Sequence, residues 1–451
     1  MLIGMQGFMG LKFGTDGVRA LALKELQPEW VARLGAAAAK VIGVKTFVIA
    51  IDGRETGPIL AEALVNGLKQ EQTHYEYLGI APTPAVAHIA STYKFGGAVI
   101  SASHNRAEYN GLKFFLPGGE KLSDKDQSAI EAILAKETPV LEKNESLKIS
   151  SLREDLLSTW TSNLKDSIIS ANLNGLRIVV DSANGAASFF APNLFRNLGA
   201  EVISIHDEPD GKNINLKSGS TDTTILQSLV KEIDADLGVA FDGDADRALA
   251  IDKTGELVDG DSLLAIFAQD MKHRNVLNGD TTAVTVMTNF GFHLAMKESE
   301  IRTHTTPVGD RHILQALHKN NWSLGGEQSG HIIFPDFSPT GDGILTALQL
   351  LDIVKRTKKS VKELSDSAMQ KYPQSLRAVQ IPKLGLGVPA EMEQAIKKVE
   401  KSLGEDGRVL VRASGTEPIL RIMVEAREQV QVDLYAQELE ETAKKIFSKN
   451  F

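Results

Sequence analysis

The chain has no cysteine among its 451 residues. Disulfides, thiol nucleophiles and cysteine-ligated metals are therefore excluded. It also lacks any apolar run of the roughly 18 residues that would mark a membrane helix. Even Leu34 to Ile51 is interrupted by Lys40 and Lys45. There is no excess of positive charge: 49 Lys and Arg stand against 58 Asp and Glu, a net charge of −9, which argues against a nucleic-acid partner. A local basic pocket is still allowed. Met1 to Gly10 has no basic n-region and no cleavage site, so no signal peptide is expected and the cytoplasm is the expected compartment. Short-period repeats and low-complexity segments are missing. So is a P-loop, since Gly211-Lys212 has neither the preceding Gly nor the following Ser or Thr.

What is present reads as a multidomain α/β protein. A chain of 451 residues is too long for one core and predicts about three or four domains. Strand and helix patterns alternate to about residue 360. The first group has helices at Glu29–Val41, Ile59–Glu71 and Pro84–Thr92, and strands at Phe47–Ile51, Tyr75–Leu78 and Gly97–Ser101. The second has strands at Leu176–Val180, Val202–Ile205 and Leu237–Phe241, with helices at Ala187–Leu198 and Thr223–Ile233. The third has helices at Ser262–Lys272, Asp310–His318 and Asp342–Arg356, with strands at Ala283–Thr288 and Trp322–Leu324. The tail reads differently, as a smaller α+β unit: strands Leu376–Ile381, Arg408–Val411 and Leu420–Val424, and helices Ala390–Leu403 and Val432–Phe447. Polar stretches at Thr138–Ser150, Asp252–Glu256 and Thr357–Ser367 are the expected junctions, giving domains over 1–150, 151–253, 254–368 and 369–451.

Four segments carry chemistry. In Leu237 to Arg247 an apolar run ends in Asp242, Asp244 and Asp246 at alternate positions. At about 4 Å and a surface-like dielectric each like-charged pair costs about 4 kcal/mol, so a cation is expected among them. Hard oxygen ligands without His or Cys point to Mg²⁺ or Ca²⁺. An EF-hand is excluded, because Arg247 stands where the loop needs Gly and Lys253 where it needs Glu. In Val99 to Asn105, Ser103 follows an apolar run, with His104 and Lys113 within a short loop's reach to activate it. In Gly325 to His331, glycines permit close backbone approach and Glu327, Gln328 and Ser329 suit hydroxyl or amino groups. In Arg412 to Pro418, followed by Arg421, a Ser-Gly-Thr turn between arginines suits phosphate.

Phe13-Gly14-Thr15-Asp16-Gly17-Val18-Arg19, Ser101 to Asn105, Asp242 to Arg247, Gly326 to His331 and Arg412 to Pro418 occur in this order, and the chain resembles the α-D-phosphohexomutase family from about Lys12 to Lys449. Lesser matches lie at Ala81 to Ala87, Val180 to Ala186 and Ser218 to Asp222. The resemblance implies three related α/β domains with mixed sheets plus a smaller C-terminal α+β domain around a central cleft. It implies a phosphoserine at Ser103 that passes its phosphoryl group to a hexosamine phosphate, so that phosphate moves between O6 and O1 through a glucosamine-1,6-bisphosphate. Such a reaction would feed amino-sugar nucleotide and cell-wall precursor synthesis. One Mg²⁺ per subunit is expected on Asp242, Asp244 and Asp246, with a Ser103 phosphate oxygen. Arg19 and Arg247 are expected on the transferring phosphoryl oxygens, Lys113 as general base with a depressed pKa, and His104 and His331 as further acid/base candidates. Glu327 and Ser329 are expected to hold sugar hydroxyls, and Ser414, Gly415, Thr416, Arg421 and Arg412 the second phosphate. The expected protein is a monomer or homodimer that engages neither nucleic acid nor membrane. Gln328 and the Ser-Gly-Thr-Glu-Pro loop resemble the glucosamine branch more than the glucose and mannose branches, and the intact serine, lysine and carboxylates speak against a silent sugar-phosphate sensor. Three departures stand out: Arg106 where the family usually has Pro, Tyr109 where it usually has Asp, and Ser182 where close relatives often have Cys.

Overall fold

The computed structural model describes residues 11–14, 16–136, 153–384, 386–414 and 417–448. They fall into two compact units, Met1–Met287 with Ile301–Asp366, and Thr288–Glu300 with Ser367–Phe451.

The first unit contains three mixed sheets built on one plan. In the first sheet, strands Thr46–Ile51, His74–Ile80 and Gly96–Ile100 run parallel, and Tyr109–Phe115 returns antiparallel beside Gly96–Ile100. Val18–Leu21 then pairs antiparallel with Tyr109–Phe115. The second sheet repeats this with parallel strands Arg177–Asp181, Glu201–Ile205 and Leu237–Phe241, and an antiparallel return at Ala248–Asp252. In the third, Thr281–Thr285, Arg302–Thr306 and Gly325–Gly326 are parallel and Ile332–Ile333 returns. Each sheet therefore has one parallel strand that leaves through a short loop and comes straight back. The loops are residues 101–108, 242–247 and 327–331, the three segments picked out from the sequence. Loops at the carboxyl ends of parallel strands are where open α/β sheets bind ligands.

Local sequence explains the helices around these sheets. Helix Pro28–Ile42 has Pro and Glu29 in its first turn and Lys40 in its last, and it stops at Gly43 in the left-handed region. Its inner face, Trp30, Val31 and Leu34, joins Phe47, Ile49 and Leu64 in the core of the first sheet. Helix Gly343–Thr357 is capped by Asp342, whose carboxylate accepts from Leu345 N at 2.9 Å and from Trp160 Nε1 at 3.0 Å. Burial pushes the Asp342 carboxyl up to about 6. No helix among the described residues is long and apolar enough to cross a membrane.

The second unit has an antiparallel sheet in the order Gln374–Gln380, Ile419–Ala426, Gly407–Ala413, covered by helices Ala390–Leu403 and Gln429–Ser448. Helix Phe290–Glu298 belongs with it. Asn289 ties that helix in by donating to Tyr372 O at 3.0 Å and to Glu425 Oε1 at 3.1 Å.

Two expected elements need correction. Trp322–Leu324 is not a strand: the ladder begins at Gly325, and Trp322 N still donates to Leu317 O at the end of the preceding helix at 3.1 Å. The expected helix Ala187–Leu198 is a short 3-10 turn, Ala186–Phe189, followed by helix Ala191–Asn197. The stretch Asp252–Glu256, expected as a junction, forms a hairpin turn held by Asp252 Oδ1 accepting from Thr254 N at 2.7 Å, and Leu257–Val258 pairs with the second sheet after it. The stretch Thr357–Ser367, expected as a junction, contains most of helix Val361–Ala368, and the change from the first compact unit to the second, Asp366 to Ser367, falls within it. The junction expected at Thr138–Ser150 lies outside the described residues.

Candidate active site

The serine loop and the aspartate loop meet. Ser103 is fully buried and has a φ of 51°, a left-handed conformation that costs a non-glycine residue roughly 1–3 kcal/mol. Its hydroxyl donates to Asp242 Oδ2 at 2.6 Å, and His104 Nδ1 lies 3.4 Å from the same oxygen. A Cβ at position 243 would stand 2.6 Å from the Ser103 carbonyl oxygen, so only glycine lets the two loops approach this closely.

Asp242, Asp244 and Asp246 are all buried, and a carboxylate oxygen of each lies within 4.8 Å of the others. Their occupied lone pairs are easily traced. Asp244 Oδ2 accepts from Thr83 Oγ1 at 2.5 Å and Lys113 Nζ at 2.7 Å, and Asp246 Oδ2 accepts from Lys113 Nζ at 3.1 Å. Asp242 Oδ1 accepts from Arg247 N at 3.2 Å. Asp244 Oδ1 and Asp246 Oδ1 are buried with no hydrogen-bond partner. Unsatisfied buried carboxylate oxygens are costly unless a cation takes them up. The donor set is all hard oxygen, which fits Mg²⁺. Burial, together with Asp246 and Asp244, pushes the Asp242 carboxyl well above its ordinary value. Burial acts the same way on Asp246, but Lys113 and His331 outweigh it and hold Asp246 well below.

Lys113 does not have the depressed pKa expected of it. Burial does push it down, but Asp16, Asp244 and Asp246 overcome this and hold it well above the ordinary lysine value. The reason is Asp16, 2.9 Å from Lys113 Nζ, which makes a third carboxylate around one ammonium. Asp16 also pairs with Lys121, which pairs with Asp310. Asp310 lies 3.3 Å from His331 Nε2, and His331 Nδ1 lies 3.7 Å from Asp246. The six groups close a ring of alternating sign through Asp246, Lys113, Asp16, Lys121, Asp310 and His331.

His331 completes that ring only when protonated. Burial lowers its pKa, but Asp246 and Asp310 prevail and raise it above 6.5. Its contribution to stability is therefore full below about pH 6.5 and is lost as pH rises through the folded-state value. Melting curves of the metal-free protein should show a stability decline starting near pH 6.5 that His331→Gln flattens. An unchanged pH profile in the variant would contradict the assignment. His104 behaves oppositely. Burial, then Arg247 and Arg19, lower it to about 4, so it is neutral at physiological pH. The same effect places the two guanidinium groups near the serine loop. Arg19 pairs with Asp16, and the Nε atoms of Arg19 and Arg247 are buried without hydrogen-bond partners.

The third loop joins this unit through its backbone. Gly260 N donates to Gln328 O at 3.0 Å, and Ala248 N donates to Gly330 O at 3.1 Å. Gly330 has a φ of 87°, and a Cβ there would lie 2.2 Å from Ala248 O. Glu327 Oε1 accepts from Gly309 N at 3.2 Å, and Ser329 Oγ is buried without a hydrogen-bond partner.

In the second unit, Arg412 and Arg421 are directly opposite on neighbouring strands. Like charges so placed destabilise the sheet and favour an anion between them. Arg421 lies 3.1 Å from Glu417, and burial with Arg421 pushes the Arg412 guanidinium down. Glu417 N donates to Ser414 Oγ at 3.3 Å. Gly415 and Thr416 lie outside the described residues.

Asp16, Thr83, Lys121 and Asp310 were not anticipated. Asp16 sits inside the Phe13–Arg19 motif and Thr83 inside Ala81–Ala87, so a signal existed for both. Lys121 and Asp310 have no local signature, since the pair is separated by 189 positions in the chain.

Known proteins match this chain along its length. Protein-family models of phosphoglucomutase/phosphomannomutase match as α/β/α domain I over residues 10–140, domain II over 158–255, domain III over 259–372, and the C-terminal domain over 355–442. The chain is 43% identical over 447 residues to a phosphoglucosamine mutase of Clostridium acetobutylicum, covering 97% of this chain and 99% of that one. It is 45% identical over 443 residues to a phosphoglucosamine mutase of Caldanaerobacter subterraneus, covering 96% and 98%. Among solved structures, a phosphoglucomutase/phosphomannomutase family protein of Burkholderia thailandensis superimposes with a TM-score of 0.78 at 23% identity, over 98% of this chain and 97% of that one. The Aspergillus fumigatus N-acetylphosphoglucosamine mutase gives 0.69 at 17% identity, over 97% and 96%. These two structures establish likeness of fold.

Proposed function

The chain belongs to the phosphoglucomutase/phosphomannomutase family, and from that premise we propose how its buried serine and carboxylates work. The chain is an intramolecular phosphotransferase that interconverts glucosamine-6-phosphate and glucosamine-1-phosphate. The observation that carries the mechanism is Ser103 Oγ held 2.6 Å from Asp242, beside two buried carboxylate oxygens with no hydrogen-bond partner.

In this reading Ser103 carries the phosphoryl group. The Oγ–P bond breaks as a sugar hydroxyl oxygen forms its own bond to phosphorus; the hydroxyl proton leaves to a base, and Ser103 Oγ takes up a proton to become the free serine hydroxyl. The sugar now holds two phosphates. It turns over and returns the other phosphate to Ser103, which leaves the isomeric monophosphate. Asp242, Asp244 and Asp246 would hold one Mg²⁺, which when bound offsets charge on the transferring group. Arg19 and Arg247 have buried donors free for the equatorial oxygens. His104, neutral and close to Oγ, is the better proton acceptor. Lys113 stays protonated and balances the triad, its hold on the proton weakening when Asp244 and Asp246 share a second cation. Glu327 and Ser329 are assigned to the sugar hydroxyls. Arg412, Ser414 and Arg421, with Gly415 and Thr416, are assigned to the second phosphate on the strength of the paired guanidiniums.

The four domains are proposed as 1–150, 151–258, 259–368 and 369–451, the second extended to include strand Leu257–Val258. One acidic cluster among the described residues supports one Mg²⁺ per subunit. The named residues all come from a single chain, so a monomer or homodimer suffices. The substrates are phosphate anions that do not cross membranes unaided, which supports a cytoplasmic site of action.

The test is ³¹P NMR with Mg²⁺, a trace of sugar bisphosphate and glucosamine-6-phosphate, beside glucose-6-phosphate and mannose-6-phosphate. The glucosamine-1-phosphate signal is expected to grow fastest. Faster conversion of glucose or mannose phosphate would move the substrate assignment to a sister branch.

A further inference from the structure

Arg54 donates four of its five guanidinium N–H groups to backbone carbonyls in and at the end of the serine loop, and the fifth to Asp52. The side chain is completely buried. Nη2 donates to Ser103 O at 3.0 Å and to Asn105 O at 2.9 Å. Nη1 donates to Tyr109 O at 2.9 Å and to Arg106 O. Nε donates to Asp52 Oδ2 at 2.8 Å. Asp52 Oδ2 also accepts from Ser101 Oγ at 2.5 Å, and Ser101 Oγ accepts from Ser103 N at 2.8 Å. From the connection that follows strand Glu201–Ile205, Asn215 Nδ2 donates to the same two carbonyls, Ser103 O at 2.8 Å and Asn105 O at 2.9 Å. Both carbonyls thus have both lone pairs engaged.

We propose that Arg54, anchored by Asp52 and matched across the loop by Asn215, is the positioning residue that holds Ser103 in its left-handed conformation with its hydroxyl on Asp242. The inference rests on Ser103 as the phosphoryl carrier. A left-handed serine does not keep that conformation unless its surroundings over-determine it. Here the peptide groups on both sides of Ser103 are fixed: its N–H through Ser101 and Asp52, its C=O through Arg54 and Asn215. The two departures from the family's loop fall on this clamp. Arg106 brings no fixed proline φ, and Tyr109 replaces the usual Asp. The carbonyls of these two residues are the ones Arg54 Nη1 takes. Position 106 has no ring to fix its φ, and its carbonyl is held by Arg54 Nη1. A lysine cannot replace the guanidinium, because three donors on a point charge do not reproduce a planar fork of five.

The experiment compares wild type, Arg54→Lys, Asn215→Ala and Ser103→Ala as full-length, Mg²⁺-loaded protein with glucosamine-6-phosphate. For Arg54→Lys, kcat should fall on the order of a hundredfold while KM changes by no more than about threefold, since transfer geometry rather than substrate binding is disturbed. Asn215→Ala removes half of the grip on the two carbonyls and leaves no charge stranded. Its kcat should fall by about tenfold with the same small KM change, so it carries the test if Arg54→Lys fails to fold. Folded variants whose kcat equals that of wild type, or whose loss lies wholly in KM or in melting temperature, would overturn the clamp. Ser103→Ala separates the two ideas. If it stays active, the phosphoserine reading falls; if it is inactive and both clamp variants match wild type, only the clamp falls.

Discussion

Ser103→Ala should lose at least about 10⁴-fold in turnover, the scale on which removal of a covalent nucleophile is felt. It should nonetheless fold. The serine hydroxyl donates to Asp242 Oδ2 at 2.6 Å and its oxygen lies 3.4 Å from His104 Nδ1, a half-buried ring at the loop, so its removal leaves only these two contacts unmade. Burial, with Asp246 and Asp244, pushes the Asp242 carboxyl well above its ordinary value, which lowers the cost of losing this donor. The measurement is the ³¹P NMR conversion assay paired with a melting curve. A variant that melts like wild type and makes no product agrees with the account. One that turns over at a substantial fraction of the wild-type rate contradicts it.

The second large effect has opposite signs for activity and stability. Asp242→Asn should abolish Mg²⁺-dependent transfer and yet stabilise the metal-free protein. Three buried carboxylates within 4.8 Å of one another are a liability without a cation, and the raised pKa of Asp242 expresses this. Because that group binds its proton more tightly folded than unfolded, the metal-free protein loses stability as pH rises from about 4 toward the folded-state value. Asn removes the penalty. Chelator should therefore destabilise wild type, and Mg²⁺ at a hundredfold over its Kd should restore about 2.7 kcal/mol. Neither addition should move Asp242→Asn. Melting curves in chelator and in Mg²⁺, for both proteins, check this. A variant less stable than wild type in chelator would show that the three carboxylates are compensated by Lys113 and His331 alone.

The parts of this site that were legible in the sequence share a physical trait. Ser103, the three aspartates and Glu327 lie on short loops where an apolar strand stops abruptly, and an abrupt stop is visible in a string of letters. The strand Leu237–Phe241 and the helix Ala390–Leu403 have the bounds their patterns predict, because burial on both faces, or one face in 3.6, leaves little latitude. Two other strands were harder. Tyr109–Phe115 carries Lys113 at a buried position, and Arg302–Thr306 is a polar edge strand, so neither shows the apolar pattern of a strand. The charge state of Lys113 was out of reach for another reason. It depends on Asp16, and through the ring on Lys121 and Asp310. These are common residue types, and their partners are distant in the chain. Arg54 is similar: its five acceptors are oxygens, four of them backbone carbonyls, and carbonyls leave no trace in sequence.

The central claim is that phosphate passes through Ser103. The most direct test loads the protein with radioactive phosphate at Ser103 and adds Mg²⁺ with unlabelled glucosamine-6-phosphate in a rapid-quench experiment. The account predicts that label leaves the protein within the first turnover and enters the sugar bisphosphate and then the glucosamine monophosphates, with none released as inorganic phosphate. Product formation while the label stays on Ser103, or label released to water as fast as product forms, would contradict it.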